Sequence, residues 1–372
     1  MKVAILHDYL NQLGGAERVL HELTSLFPEA PIFTLLYDEE RTHGEFHNKT
    51  IHTSFLQHVP GGTRRHHYMI PLMPLAAQAF FIRDFDLILS DSSGFAKGFA
   101  ADPRILHINY CYTPLRYAWE EKYLETYPWF RALHYGVTPL RTFLKAWDLK
   151  TSRAPHVMYT ISNHIARKIK RYYGRDTRII YPPVRTDFFY STRAKETTYC
   201  AVGRLLHYKR FDLVVDTFNM LGLPLKIIGV GPEYRALKAR ANHNIEFLGH
   251  VSDETLRDCY SASRALIFPH EEDFGLVPVE ALGCGTPVVA FARGGGPTEI
   301  ITPGYNGVFF EEQTKESLAD AIHKLDTYHI THAACRESAL PFSRDVFRNT
   351  LRTNIEQEFL RHYAAMDRDN QS

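Results

Sequence analysis

Cysteine is scarce in this chain of 372 residues: five in all, Cys111, Cys200, Cys259, Cys284 and Cys335, odd in number, far apart and without a C-x-x-C pair. That argues against a disulfide framework and a zinc site, and predicts a reducing, cytoplasmic setting. Long apolar runs are missing as well. No stretch approaches the roughly 18 apolar residues needed to cross a bilayer, and Val3-Ala4-Ile5-Leu6 near the N-terminus is too short for a secretory signal. If the chain meets a membrane, it is expected to lie on it. Neither sign of charge dominates, with 43 Lys+Arg against 42 Asp+Glu and a formal net charge of +1. No global field therefore draws the protein onto nucleic acid. Short-period repeats and low-complexity tracts are absent, which argues against a solenoid. No Gly-x-Gly-x-x-Gly follows Val3 to Leu6, so a dinucleotide dehydrogenase has only the weak support of Gly14-Gly15.

What is present suits two ordinary domains. The chain is 45% hydrophobic and 13% aromatic, and a single core rarely grows past about 250 to 300 residues. Charge is unevenly spread: Arg131 to Arg175 holds ten Lys/Arg and one acid, Asp148, while Gly62 to Arg83 holds three Arg and two adjacent His with no acid. Within the latter, Thr63 to Leu75 interleaves cations with aromatic and aliphatic residues. Such a surface can bind anionic lipid headgroups or be a solvated basic face over a core helix.

Short β-branched runs alternate with helical patterns throughout. Val3 to Leu6 is followed by Gly14-Gly15 and an apolar pattern at helical spacing, and strand-like runs recur at Leu87 to Leu89, Ile105 to Ile108 and Val157 to Ile161. A second series comprises Tyr199 to Val202, Leu225 to Gly229, Ile245 to Leu248, Ala265 to Phe268, Pro287 to Ala290 and Gly307 to Phe310. Alternation of this kind predicts α/β architecture with two parallel-sheet, Rossmann-like domains in tandem. Pro182-Pro183 and the polar stretch Ser191 to Glu196 set the expected boundaries at 1–188 and 189–343. Residues 344–372, with Phe347, Leu351, Ile355, Phe359 and Leu360 as the apolar stripe, are expected to form a helix that returns to the first domain.

Two loops carry the chemistry. From Pro269 to Gly285 a strand runs through a glycine turn into a helix, whose N-terminus can hold an anion such as a diphosphate. Glu272 and Glu280 stand eight residues apart. They could accept hydrogen bonds from the two hydroxyl-bearing ends of one ligand, or be an acidic loop and a solvated helix face. The turn Gly203 to Arg210 places Arg204 and Lys209 after the first strand of the second domain, where they could neutralise phosphate charge or simply be solvated. Both loops leave carboxyl ends of strands, where open parallel sheets bind ligands.

Gly203-Arg204…Lys209, Gly229-Val230-Gly231-Pro232, Phe247 to Val251, Glu272 to Val288 and Gly294 to Glu299 together resemble the group 4 family of retaining glycosyltransferases, of GT-B architecture. The likeness covers the second domain. In the first, Gly14-Gly15-Ala16-Glu17 resembles the family's glycine loop, and Tyr110 to Trp119 resembles a branch of bacterial mannosyltransferase-like enzymes of surface polysaccharide assembly.

The resemblance implies a nucleotide diphosphate sugar held by the second domain and an acceptor held by the first across a cleft. Arg204 and Lys209 would bind the diphosphate, Glu280 the ribose and Glu272 the sugar, with Phe274, Gly275, Leu276 and Val277 offering backbone contacts, Gly231 and Val251 lining the base, and Gly15 approaching the phosphates. Glu272, Lys209, Arg204 and Tyr112 would form the catalytic set, without metal, since no Asp-x-Asp pair occurs in it; no cofactor beyond the donor is expected. Tyr112 stands where family members often carry histidine. It could contact a sugar hydroxyl or pack beside Pro114 and Trp119. Asp8 and Tyr9, with His7, are acceptor-side candidates or a structural loop, and Arg116 could meet an acceptor phosphate or pair with Glu120. The expected partners are a nucleotide sugar, with GDP-mannose as donor and a UDP-sugar as rival, and a polyprenyl-diphosphate-linked saccharide at the inner face of the cell membrane, with no nucleic acid. A nucleotide-sugar 2-epimerase and a non-catalytic nucleotide-sugar-binding protein are the other classes.

Overall fold

Each series of β-branched runs folds into one parallel sheet. The computed structural model describes residues 1–120 and 137–369, so the stretch from Arg131 to 136 of the basic region lies outside the described residues, as do the last three positions. The chain forms two units, Met1–Tyr181 with Arg348–Ser372, and Pro182–Phe347.

The first unit holds β1 (Val3–His7), β2 (Ile32–Thr34), β3 (Ile51–Thr53), β4 (Leu87–Ser92), β5 (Leu106–Cys111), β6 (Val157–Thr160) and β7 (Arg178–Ile179), in the order β3-β2-β1-β4-β5-β6-β7. Its helices include α1 (Gly15–Leu26), α2 (Met73–Gln78), α3 (Arg116–Trp119), α4 (Val137–Thr151) and α5 (Asn163–Tyr173). β1, β4 and β5 are buried at every position, as strands covered on both faces must be. Asp148, the lone acid of the basic stretch, is fully buried and pairs with buried Lys97 at 2.6 Å. Its other oxygen accepts from Trp119 Nε1 at 2.7 Å and Tyr173 Oη at 2.6 Å, so the pair's polar capacity is met.

The second unit orders its strands β10-β9-β8-β11-β12-β13, where β8 is Tyr199–Val202, β9 Leu225–Ile228, β10 Ile245–Gly249, β11 Leu266–Phe268, β12 Val288–Phe291 and β13 Gly307–Phe310. Around it lie α6 (Phe211–Leu221), α7 (Tyr234–Arg240), α8 (Asp253–Ala262), α9 (Leu276–Gly283), α10 (Pro297–Ile300), α11 (Lys315–Leu325) and α12 (His332–Ala339). In both sheets the order reverses beside the first strand, between β1 and β4 and between β8 and β11. Loops leaving that point diverge and leave a crevice at the carboxyl edge.

The units divide at Tyr181/Pro182, earlier than the expected 188, for a packing reason. Val184 N–H donates to Phe342 O at 2.8 Å and Phe189 is fully buried against Tyr260, so the segment after the two prolines already belongs to the second unit. The last helix, α13 (Arg344–Asp369), joins the first unit from Arg348 onward. Its inner stripe is Phe347, Leu351, Ile355 and Glu358, all buried. Leu360, expected on that stripe, is 70% exposed. Five residues after Ile355 is about 140° around a helix of 3.6 residues per turn, which turns Leu360 away from the unit.

Candidate functional site

In the second unit the loops after β8 and β11 meet at the switch point. Gly203 N–H bonds Ile228 O at 3.0 Å and Leu205 N–H bonds Val230 O at 2.9 Å, drawing the β8 loop against the β9 loop. A Cβ on Gly229, whose φ is +139°, would stand 1.9 Å from Gly203 O, and one on Gly231 would stand 2.4 Å from Leu205 O. Only glycine fits there. Gly231 thus meets the Leu205 backbone, and Val251, half-buried, follows β10.

This packing brings Lys209 over the end of β11. Its Nζ lies 2.7 Å from Glu272 Oε2 and 3.0 Å from His270 Nε2, and His270 Nε2 lies 3.3 Å from the same carboxylate oxygen. Burial works to raise the Glu272 pKa, but the His270 hydrogen bond and the Lys209 charge outweigh it and hold the carboxyl well below its usual range. Burial lowers the His270 pKa, with Lys209 adding to the effect and Glu272 opposing it. The imidazole is 1% exposed. His270 did not figure among the expected site residues. Its signal was position: two residues before Glu272, directly after a strand.

Glu272 is fixed by its backbone. Its N–H bonds Gly294 O at 2.8 Å and its C=O accepts from Gly296 N–H at 2.9 Å. Gly275 (φ +108°) then turns the chain into α9, whose first N–H groups, at half-buried Leu276 and Val277, have no partner within the helix. Phe274 turns its ring inward, 5.4 Å from Phe342, so only its backbone faces the turn. Glu280 is 2% exposed and accepts from Tyr260 Oη at 3.1 Å, which rules out the solvated helix face. Arg204 is exposed and has no ion-pair partner among the described residues. The carboxyl edge thus gathers Arg204, Lys209, His270, Glu272 and the α9 N-terminus: two cations and a helix end suited to an anion, with carboxylates suited to hydroxyl groups.

In the first unit the register sets His7 beside Asp91. His7 Nδ1 donates to Asp91 Oδ1 at 2.8 Å, and His7 Nε2 lies 3.8 Å from Glu17 Oε1. Burial disfavours the imidazolium, but Asp91 and Glu17 outweigh it and raise the His7 pKa well above its usual value. Glu17 also accepts from Gly14 N–H at 2.7 Å, half of a capping box that fixes the start of α1 at Gly15.

Tyr112 belongs to this network. Its Oη lies 3.0 Å from Asp91 Oδ2 and 3.1 Å from Ala16 O, and burial together with Asp91 raises its pKa well above 10. Its hydroxyl reaches two internal acceptors and so ties the first turn of α1 to β4. Asp8 is held by the fold in the same way. It is 6% exposed and accepts from Ser92 Oγ and from the N–H groups of Ser93, Phe95 and Ala96 at 2.6 to 3.1 Å, which makes it the anchor of the β4 loop. Tyr9 stacks on His66 at 4.7 Å. Arg116 opens α3 half-buried, and the Glu120 carboxylate expected beside it pairs with Lys168 at 2.9 Å.

The Thr63 to Leu75 segment buries Met69, Ile70 and Met73 and exposes Tyr68, Leu72 and Leu75 at 53%, 47% and 63%. Arg64 and Arg65 are exposed beside them. Burial lowers the pKa of His66 to about 4 and lowers that of His67, so these two histidines add no charge at neutral pH. Among the described residues no helix is long and apolar enough to cross a membrane, and no cluster of His, Cys, Asp and Glu could hold a metal ion.

Residues 185–339 match the family model described as Glycosyl transferases group 1. The chain is 33% identical over 171 residues to a D-inositol 3-phosphate glycosyltransferase of Mycobacteroides abscessus, covering 40% of this chain and 38% of that protein. It is 27% identical over 197 residues to the D-rhamnosyltransferase WbpZ of Pseudomonas aeruginosa, covering 47% and 52%. The chain thus spans about half the length of these relatives or less. The solved structure of Anabaena Alr3699/HepE in complex with UDP and glucose superposes with a TM-score of 0.71 at 16% identity, covering 96% of this chain and 99% of that one. The fold is the GT-B architecture of two Rossmann-like, parallel-sheet domains.

Proposed function

We propose that this protein is a retaining glycosyltransferase that moves a hexose from a nucleotide diphosphate sugar, GDP-mannose, to a lipid-linked saccharide in surface polysaccharide assembly. The observation that carries this reading is the Lys209, His270 and Glu272 cluster at the first turn of α9, with Arg204 exposed on the same loop as Lys209. The family match over residues 185–339 supports it.

The leaving group of such a transfer is a nucleoside diphosphate, and its departure develops negative charge. Arg204, Lys209 and the α9 N–H groups stabilise that charge without a metal. Glu272 pairs with Lys209 at 2.7 Å. On this reading the diphosphate shares the Lys209 ammonium, and the Glu272 carboxylate, held ionised, accepts from the hexose hydroxyls. Glu280 accepts from the ribose. No carboxylate on these loops is assigned as a nucleophile under the sugar, so we favour a same-face displacement in which the leaving phosphate helps deprotonate the acceptor. The stripe of Tyr68, Leu72 and Leu75 beside Arg64 and Arg65 supports docking on an anionic membrane surface, the cytoplasmic face of the cell membrane.

A UDP-sugar is the second donor reading, favoured by the likeness in fold to a protein solved with UDP and glucose. The test is transfer of label from GDP-mannose and from UDP-glucose to polyprenyl-diphosphate-linked saccharides in anionic vesicles. Transfer from GDP-mannose supports the full reading, transfer from UDP-glucose alone replaces the donor, and transfer from no nucleotide sugar contradicts it.

A further inference from the structure

The loop that leaves β1 holds a polar arrangement outside both clusters. Asn11 is 2% exposed, and its Nδ2 lies 2.6 Å from Thr63 O and 2.9 Å from His66 Nδ1. A backbone carbonyl can only accept, so the atom facing it is the amide NH2. The same NH2 directs its second proton to Nδ1, which must then be the unprotonated ring nitrogen. His66 therefore carries its proton on Nε2. Tyr9 holds the ring from its face, stacked at 4.7 Å with the planes 30° apart. Nε2 itself has no hydrogen-bond partner among the described residues, although it is not a buried orphan. Burial, with His67 and Arg41 nearby, keeps the ring from taking a second proton at neutral pH.

A side chain held by a buried amide, stacked on an aromatic ring and left with one unused donor is preorganised to bind an oxygen. It stands beside the carboxyl end of β1, next to exposed Arg64 and Arg65. We propose that His66 is a fixed hydrogen-bond donor to an acceptor-substrate oxygen, a sugar hydroxyl or a phosphate oxygen, with Asn11 as the positioning residue that locks its Nε2–H tautomer. This assignment rests on the glycosyl-transfer reading. The loop that begins with pinned Asp8 and ends at Gly14 then has a function between those points: Tyr9 and Asn11 shape His66.

The test has two arms. Long-range proton–nitrogen correlation spectra of full-length protein labelled with 15N-histidine, assigned by difference with His66→Phe, should show His66 as the Nε2–H tautomer from pH 5 to pH 8. In Asn11→Ala it should become a tautomer mixture. A wild-type Nδ1–H ring, or one that titrates near pH 6.5, overturns the lock. In the second arm, transfer to synthetic farnesyl-diphosphate-linked N-acetylglucosamine and to free N-acetylglucosamine is measured. His66→Phe, which keeps the stacking and removes the donor, should raise the acceptor KM by roughly 10-fold or more with kcat little changed. His66→Gln should recover part of the loss. A KM effect confined to the diphosphate-linked acceptor assigns the bond to phosphate, and one on both acceptors assigns it to a sugar hydroxyl. An unchanged KM, or a fall in kcat alone, overturns the assignment while the transfer reading stands. Absence of transfer by the wild type overturns both, and the spectra then still decide the Asn11 lock by itself.

Discussion

Lys209 faces two partners that make opposite demands, a carboxylate 2.7 Å away and an imidazole nitrogen 3.0 Å away. Truncating it leaves Glu272 without its cation and, in the proposed reaction, the diphosphate without its point charge. Lys209→Ala should lower kcat/KM by about 100- to 1,000-fold, with the circular dichroism spectrum and melting curve retained; normal turnover in that variant would remove Lys209 from the reaction. Asp8 gives the contrasting case. It accepts from four donors at the β4 loop, so Asp8→Ala strands buried N–H groups and should cost roughly 3 kcal/mol or more in a urea titration. The sequence alone could not tell these two charged loop residues apart, because position at a strand's carboxyl end is common to both. The difference is in partners contributed by distant segments, Ser92 to Ala96 for Asp8 and His270 with Glu272 for Lys209. The partners of Tyr112 are not legible in the sequence for the same reason: Asp91 and Ala16 come together with it only through the sheet order.

At the scale of elements, periodicity carried most of the fold. Runs such as Leu87 to Leu89 and Val288 to Ala290 are apolar at consecutive positions and became buried parallel strands. β2, β3 and β7 were not foreseen, being only two or three residues long and lying toward the sheet's margins, where pairing with a neighbour, not hydrophobic length, defines them. The last helix shows the limit of counting apolar residues without their phase. Ile355→Ala should destabilise by about 2 to 5 kcal/mol because the side chain is 1% exposed, whereas Leu360→Ala should change stability by no more than about 0.5 kcal/mol. Equal losses in chemical denaturation would mean that the helix docks in a different phase.

For the whole molecule, two buried histidines act on stability with opposite signs. His107, 4% exposed and bonded to Ser90 Oγ at 2.7 Å, has its pKa pushed down to about 3 by burial, with His156 and Arg175 adding to it. The unfolded chain takes up that proton near pH 6.5, so between pH 6.5 and 3 the unfolded state binds more protons and stability falls with falling pH, by about 1.4 kcal/mol per pH unit. His7 has the opposite sign. Its folded pKa is raised, so its contribution is complete below about pH 6.5 and is lost as pH rises through the folded value. Together these two contributions should be largest near pH 6.5. His107→Gln should flatten the acid limb of urea titrations taken from pH 4 to pH 7, and an unchanged slope would contradict the assignment.

In the proposed reaction a nucleoside diphosphate binds at the loops after β8 and β11 through Arg204, Lys209 and the first turn of α9. Calorimetric titration of the full chain with GDP, UDP and ADP in EDTA tests it most directly. Metal-free binding is expected, tightest for GDP and weakened at least 10-fold in Arg204→Ala. Binding of none of the three, or binding undiminished in that variant, would contradict it.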